Sequence, residues 1–319
     1  MNKLQNSKCK LIEERIQYFR EHLKKCSICP RNCNVNRIGK QVGYCKSSSE
    51  ITIYSAFLHQ GEEPTISGSR GSGTIFFSGC NLRCTFCQNY KFSHKMQGTR
   101  IDKKELSQIM LTLQKKGAHN INLVTPTHFL PQILESLYMA FSRGLNIPIV
   151  YNTSGYEKPE IIHLLDGVVD IYLFDLKYFY SLTAKKYSQA PDYSHFSFPS
   201  LKEAYRQQKT NILSKGLHAK GLIVRHLVLP GHISETKRIL SWLDKNIPKT
   251  YISLMFQYRP YFKAKADKLI NRTVNREEYQ NIINFLKNFD FLGWTQDLVA
   301  DEKLSGKNIK PLVLTRFFG

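Results

Sequence analysis

Three cysteines fall within eight residues, Cys80, Cys84 and Cys87, in the stretch Ser78-Gly79-Cys80-Asn81-Leu82-Arg83-Cys84-Thr85-Phe86-Cys87-Gln88-Asn89. The spacing is Cys-x3-Cys-x2-Cys, and an apolar run, Thr74-Ile75-Phe76-Phe77, delivers it. Such a loop can wrap three thiolates around one metal centre, and thiolates suit iron–sulfur clusters, zinc and Cu(I). Ligand count separates these. A [4Fe–4S] cubane ordinarily takes four cysteines, so three in one loop leave an iron open to another ligand. The alternative is a structural zinc, with His94 completing a Cys3His set.

A second group lies upstream: Cys26, Cys29, Cys33 and, after Gly39, Gly43 and Tyr44, Cys45. These four could close a tetrahedral zinc site or hold a second iron–sulfur cluster; the alternative is reduced thiols in a glycine-rich loop. A metal would supply folding energy to a segment with little core of its own. Cys9 stands alone and is read as a bystander. In a reducing compartment such groups are metal sites rather than disulfides. The start, Met1 to Asn6, lacks the apolar core of a signal peptide, and no apolar run reaches the length of a membrane span. A cytoplasmic protein with no membrane partner is expected. The formal net charge of +21 is spread along the chain rather than gathered in a block. It therefore reads as a solvated lysine surface more than as a nucleic-acid footprint.

The elements that must position these residues follow from periodicity. Leu11, Ile12, Ile16, Phe19 and Leu23 recur at helical spacing, predicting an amphipathic helix over 8–25 that docks on the main domain. Residues 46–73 read as a Ser- and Gly-rich connector with one β-type run at 51–54. This divides the chain into a helix and cysteine-rich leader, 1–70, and a core domain, 71–319. From residue 74 strands alternate with helices. Strands are expected at 74–78, 121–124, 147–152, 170–176, 222–229 and 251–257, with helices at 102–116, 130–143, 158–165, 200–215, 234–246 and 276–288. Strands apolar on both faces, each followed by a helix, predict a parallel sheet covered by helices. Six units predict an α/β fold, a partial (β/α)6 TIM-like barrel. The piece 291–319 closes or flanks it.

Active sites of such barrels lie at the C-terminal strand ends. The second end is Thr125-Pro126-Thr127-His128, where His128 is either a pocket group or part of a turn. The third, Tyr151-Asn152-Thr153-Ser154-Gly155-Tyr156, offers hydroxyls and an amide, or is an ordinary polar turn. At the fourth, Asp175 and Lys177 are two apart on one strand and so share a face. Buried charges must be paired, so they neutralise each other or a zwitterionic ligand. At the fifth, alternation sets Arg225 and His226 on opposite faces. Gln257 and Tyr258 end the sixth.

The cysteine loop with its aromatic Phe86, the Cys-Pro-Arg-x-Cys leader, and the run His226-Leu227-Val228-Leu229-Pro230-Gly231 together resemble the radical S-adenosylmethionine (radical SAM) superfamily. Within it, they resemble the PflX-like group related to pyruvate formate-lyase activating enzymes. The resemblance implies a barrel of the radical SAM type and an oxidoreductase. A [4Fe–4S] cluster would sit on Cys80, Cys84 and Cys87, with SAM on the open iron. It implies SAM contacts from Phe86, Thr125, Thr153, Asp175, Lys177 and Arg225, with Arg225 on the SAM carboxylate and Thr125 acting through its backbone. A Gly-Gly-Glu run common in the superfamily is replaced here by Thr-Pro-Thr-His, a departure. The implied reaction is reductive cleavage of SAM to a 5′-deoxyadenosyl radical, fed by a low-potential donor such as flavodoxin or ferredoxin. The radical would abstract hydrogen from a substrate, as when a protein substrate of the glycyl radical class is activated. The competing readings are radical modification of RNA and a non-enzymatic zinc-binding scaffold.

Overall fold

The computed structural model describes residues 3–298 and 309–311. Its helices and strands, in chain order, are α1 (Lys3–Lys24), β1 (Ile51–His59), α2 (Pro64–Ser67), β2 (Ser72–Phe77), α3 (Tyr90–Ser93), β3 (Thr99–Ile101), α4 (Lys103–Lys115), β4 (Ile121–Val124), α5 (Leu130–Ser142), β5 (Ile149–Thr153), α6 (Pro159–His163), β6 (Ile171–Asp175), α7 (Ser181–Ser188), α8 (Tyr193–Gln207), β7 (Ile212–Ser214), β8 (Leu217–Leu227), α9 (Ile233–Asn246), β9 (Tyr251–Met255), α10 (Arg276–Leu286), β10 (Leu292–Gln296) and β11 (Ile309–Pro311). All belong to one sheet system and its covering helices.

Strands β2, β4, β5, β6, β8, β9 and β10 pair in that order, all parallel. At one edge β1 runs antiparallel to β2 and β3 antiparallel to β1; at the other, β11 runs antiparallel to β10. Among the described residues no ladder joins β3 to β11, so the barrel is partial. The six expected strands are present and the fold is the α/β arrangement anticipated. A seventh parallel strand, β10, comes from the C-terminal piece; of that piece, residues 299–308 and 312–319 lie outside the described residues.

Three details depart from the sequence reading. The β-type run at 51–54 is the start of a nine-residue strand, because β2 and β3 both give it ladders. A division at residue 70 thus runs between β1 and β2, which the register Ile53–Phe77 to His59–Ser72 joins. The helix expected at 200–215 is α8, shifted earlier. Residues 212–214 form β7, all exposed and paired to β8, so no helical face is buried there. Helix α7 was not anticipated.

Two cores result, because strand side chains alternate between faces. The larger lies between sheet and helices. In the smaller, Ile66 of α2 packs against Val150, Ile171, Leu173, Ile223 and Trp294, plugging the end of the barrel where the parallel strands begin. Helix α1 docks on α5 as expected. Its buried Lys8 donates to Val168 O (3.0 Å) and pairs with Asp170 (2.5 Å). In the helix α4 a capping box links Asp102 and Glu105, satisfying two otherwise orphaned backbone donors.

One carboxyl ties strand ends together from below. Glu157, fully buried, accepts from Thr127 Oγ1 (2.6 Å) and from Thr153 Oγ1. Burial raises its pKa from 4.5 to about 7, although the three surrounding hydroxyls oppose this. The native state therefore binds the proton more tightly than the unfolded chain. This contribution to stability is complete below pH 4.5 and lost as pH rises toward 7, by about 3 kcal/mol. Glu157→Gln has no such loss. Urea titrations at pH 5 and pH 8 should show the variant gaining on the parent at the higher pH; an equal difference at both would mean that Glu157 does not titrate between them.

Candidate active site

The cysteine loop leaves the end of β2 through Gly79, at φ +90°, where a Cβ would meet Cys45 O at 2.6 Å. Only glycine allows the leader backbone so close. Cys80, Cys84 and Cys87 all line one cavity of about 470 Å³ at the C-terminal ends of the parallel strands. Their sulfurs already collect polar partners. Leu82 N donates to Cys80 Sγ (3.4 Å), Ser188 Oγ donates to Cys84 Sγ (2.9 Å), and Ser93 Oγ lies 3.2 Å from Cys87 Sγ. Burial, then the proximity of Cys84, pushes Cys80 up to about 11 and Cys87 up to about 12. Three thiols of one loop facing one cavity suit a cubane cluster, whose thiolates hold different irons rather than converging on one ion. Among the described residues no three His, Cys, Asp or Glu side chains are placed to hold a single metal ion. The Cys3His zinc set is accordingly not assembled: His94 turns its ring against Phe262, and among the described residues its Nε2 has no hydrogen-bond partner.

The leader caps this loop. Arg31 lies 3.8 Å from the Tyr44 ring and donates to Asn81 O (2.8 Å), Ser188 O (3.0 Å) and Gln189 O (2.5 Å). Tyr44 OH donates to Leu82 O. Arg37, fully buried, donates to His128 O (2.5 Å) and Ser48 O. Cys26, Cys29 and Cys45 are buried beneath; Cys33 is half-buried and accepts from Tyr44 N (3.3 Å). Burial, then the nearby Cys45, raises the Cys29 thiol well above its usual range.

The opposite wall is charged. Arg225 donates to Asp175 Oδ1 (2.7 Å), Asn152 Oδ1 (2.6 Å) and Glu62 Oε2 (3.3 Å), and Lys177 pairs with Asp175 Oδ2 (2.6 Å). Burial would raise the Asp175 carboxyl, but Arg225 and Lys177 outweigh it and hold it below its ordinary value. Burial would lower Lys177, but Asp175 and then Cys84 raise it. The ends of β5 and β6 approach closely because Gly155, at φ +80°, has no Cβ; one would lie 2.0 Å from Asp175 O.

Phe86, Thr125, Thr153, Asp175, Lys177 and Arg225 all line the cavity. Phe86 stands edge-on to Tyr187 and Tyr258. Thr125 has φ +56°, a costly conformation for a β-branched residue, at a strand end where its N–H bonds Asn152 O. The Thr153 hydroxyl is given to Glu157. His128 is a structural group rather than a pocket one: it is buried, 2.8 Å from Ser78 O, with its pKa pushed down to about 3 by burial. His226 faces away from the cavity, against Leu176 O and Thr236. Sequence reading passed over Glu62 and Glu63, which also line the cavity; two successive carboxylates before a proline in a Gly- and Ser-rich stretch were the available signal.

The chain has recognisable relatives. The family model of the radical SAM superfamily matches residues 74–243. An uncharacterised protein of the archaeon Methanocaldococcus jannaschii is 32% identical over 310 residues, covering 94% of this chain and 84% of its own. The crystal structure of QueE from Escherichia coli aligns at a TM-score of 0.40 and 13% identity, over 76% of this chain and 93% of that one.

Arg225 holds two buried carboxylates, so Arg225→Ala leaves Glu62 without its cation and Asp175 with Lys177 alone. Breaking such a buried pair costs about 3–5 kcal/mol, and a fall of that order in unfolding free energy is expected by urea titration. A change below about 1 kcal/mol would show the wall to be solvated.

Proposed function

The chain belongs to the radical SAM superfamily, and from that membership we propose that it is an oxidoreductase that reductively cleaves SAM. The observation that carries the reading is one cavity shared by the three thiols and the Asp175–Lys177–Arg225 wall. Cys80, Cys84 and Cys87 would hold the [4Fe–4S] cluster. Phe86, Thr125, Thr153, Asp175, Lys177 and Arg225 would surround SAM. When bound, the reduced cluster and SAM together supply a 5′-deoxyadenosyl radical for hydrogen abstraction.

The chain's own residues bind, orient and exclude water. Lys177 spends one of its three donors on Asp175 and would keep the others for SAM. Arg225, with three acceptors already in reach, serves to fix Asp175 and Asn152 rather than to grip SAM alone. The strained Thr125 turns its peptide into the cavity edge in place of the superfamily's Gly-Gly-Glu run. Phe86, Leu227 and Met255 supply apolar lining that keeps water from the reacting atoms.

The cysteine leader supports activation of a glycyl radical protein as the finer reading, with flavodoxin or ferredoxin as electron donor. Grouped reduced thiols support a cytoplasmic location. Among the described residues no helix is long and apolar enough to cross a membrane. Radical modification of RNA is the second reading, favoured by the net charge of +21; bulk tRNA retained on filters at low but not at moderate salt would argue against specific binding.

Cys84→Ala removes one of three cluster ligands. The anaerobically reconstituted, dithionite-reduced variant should lose the brown cluster absorbance and all 5′-deoxyadenosine formation; wild-type rates would overturn the assignment. For the leader we propose an iron–sulfur cluster on Cys26, Cys29, Cys33 and Cys45, since among the described residues no three such groups are placed for a single ion such as zinc. A Cys29→Ser, Cys33→Ser double variant should then carry less metal per chain and melt earlier. Unchanged metal content would leave the leader as reduced thiols.

A further inference from the structure

We infer that the basic surface over the cysteine loop, built from Lys46, Arg83, Lys91, Lys95, Lys263 and Lys265, docks a small acidic electron-carrier protein, one with a flavin or an iron–sulfur group. This rests on the radical SAM reading, which requires one electron to reach a cluster on Cys80, Cys84 and Cys87, and it deepens that reading by giving the donor a place to bind.

Two surface segments clasp the turn that carries Cys84 and Cys87. The first is α3 with the residues after it. Ser93 Oγ lies 3.2 Å from Cys87 Sγ, and Tyr90 N donates to Cys87 O (3.3 Å). Phe92, Ser93 and His94 are buried, whereas Lys91 and Lys95 are exposed. A single turn of helix therefore separates a cluster thiol from exposed lysine. The second segment is 261–266, where Lys263 N and Ala264 N both donate to Thr85 O, at 3.0 and 3.1 Å, and Lys263 and Lys265 are exposed. The two segments meet in a stack of Tyr90 on Phe262, ring centroids 4.9 Å apart. Lys95 Nζ lies 5.4 Å from the first ring and Lys263 Nζ 5.7 Å from the second. Lys46 joins them from the leader, lining a recess together with Met96.

Charge decides the partner. The stretches 43–49, 79–98 and 261–266 hold these six cations and no Asp or Glu. Among the described residues none of the six forms an ion pair, whereas Lys24, Lys103 and Arg206 on other faces pair with Glu21, Glu135 and Glu203. They act together: burial, then Arg83, Lys263 and Lys46, push the pKa of His94 down to about 4. Like charges gathered without counter-charge repel one another, and a partner rich in carboxylates is steered to them and relieves the repulsion. A single strand of nucleic acid is the poorer fit. Tyr90 and Phe262 spend their faces on each other and on lysines, which leaves no stacking platform for bases. In the docked pair one electron leaves the reduced carrier and enters the cluster; the carrier is oxidised, the cluster is reduced, and no bond forms or breaks.

The test uses the cluster-reconstituted full chain with a flavodoxin and, separately, a [2Fe–2S] ferredoxin. Each is titrated calorimetrically in its oxidised form, and each in its reduced form is mixed anaerobically to follow bleaching of the cluster. One triple variant, Lys91→Glu, Lys95→Glu and Lys263→Glu, reverses the patch. A second, Lys209→Glu, Lys215→Glu and Lys220→Glu, makes the same charge change on exposed lysines at β7 and β8, where the parallel strands begin. With at least one carrier, the patch variant should lose about tenfold or more in affinity and bleaching rate, and the second variant should stay within about twofold of wild type. Wild-type affinity should also fall as salt is raised. Binding of neither carrier at low salt, or wild-type binding indifferent to salt, would overturn the inference without any variant. Equal losses in the two variants would overturn it too, by assigning the attraction to net charge alone. So would loss of bulk tRNA retention in the patch variant with carrier binding unchanged, which would give the surface to nucleic acid. Dithionite needs no docking and tests the underlying reading. A reconstituted wild type with no brown absorbance for dithionite to bleach sinks that reading, while bleaching by dithionite with neither carrier dependent on the patch sinks this inference alone.

Discussion

The Arg225 guanidinium is the interaction on which the site depends. Three acceptors from three other parts of the chain converge on it: Asn152 on β5, Asp175 on β6 and Glu62 ahead of α2. A guanidinium can serve all three because its donors spread in a plane, whereas an ammonium would meet them as a point charge. Removing this group from water is tolerable only because each carboxylate it neutralises would be equally costly alone. The wall is thus held by mutual need, and its position fixes Lys177 through the shared Asp175.

The leader plays a comparable part for the cysteine loop. Its cysteine-rich stretch, 25–50, has no helix or strand, yet it places two arginines on backbone carbonyls of the barrel, Asn81 O and His128 O. Arg37 reaches beneath the loop to His128, whose ring in turn meets Ser78 at the end of β2. Side chains with no catalytic duty therefore set the height at which the three thiols enter the cavity.

Much of this was legible in the sequence, for physical reasons. Runs such as Ile171–Asp175 are apolar on both faces, which marks a strand covered by helices, and the two-residue period places Asp175 with Lys177 and separates Arg225 from His226. The sequence left His128 open between pocket group and turn, and could not show that the Thr153 hydroxyl bonds Glu157, because a hydroxyl or imidazole at a strand end satisfies whichever acceptor is nearest, here the buried Glu157 and Ser78 O. Glu62 and Glu63 were hidden by their setting: glycine- and serine-rich composition signals a turn, but not that the turn folds back into a barrel. That depends on the ladder between β1 and β2, a tertiary fact.

Arg31 also bears on how the protein is made. Its carbonyl partners Ser188 and Gln189 lie 157 and 158 positions further along the chain, and the Ser188 hydroxyl rests on the Cys84 sulfur. During synthesis the cysteine loop emerges long before its cover is complete. Ser188 belongs to α7, so its contact with Cys84 cannot form on a growing chain that ends before that helix. The neighbours of the cysteine loop on this side are thus supplied 104 positions after Cys84 itself has been made.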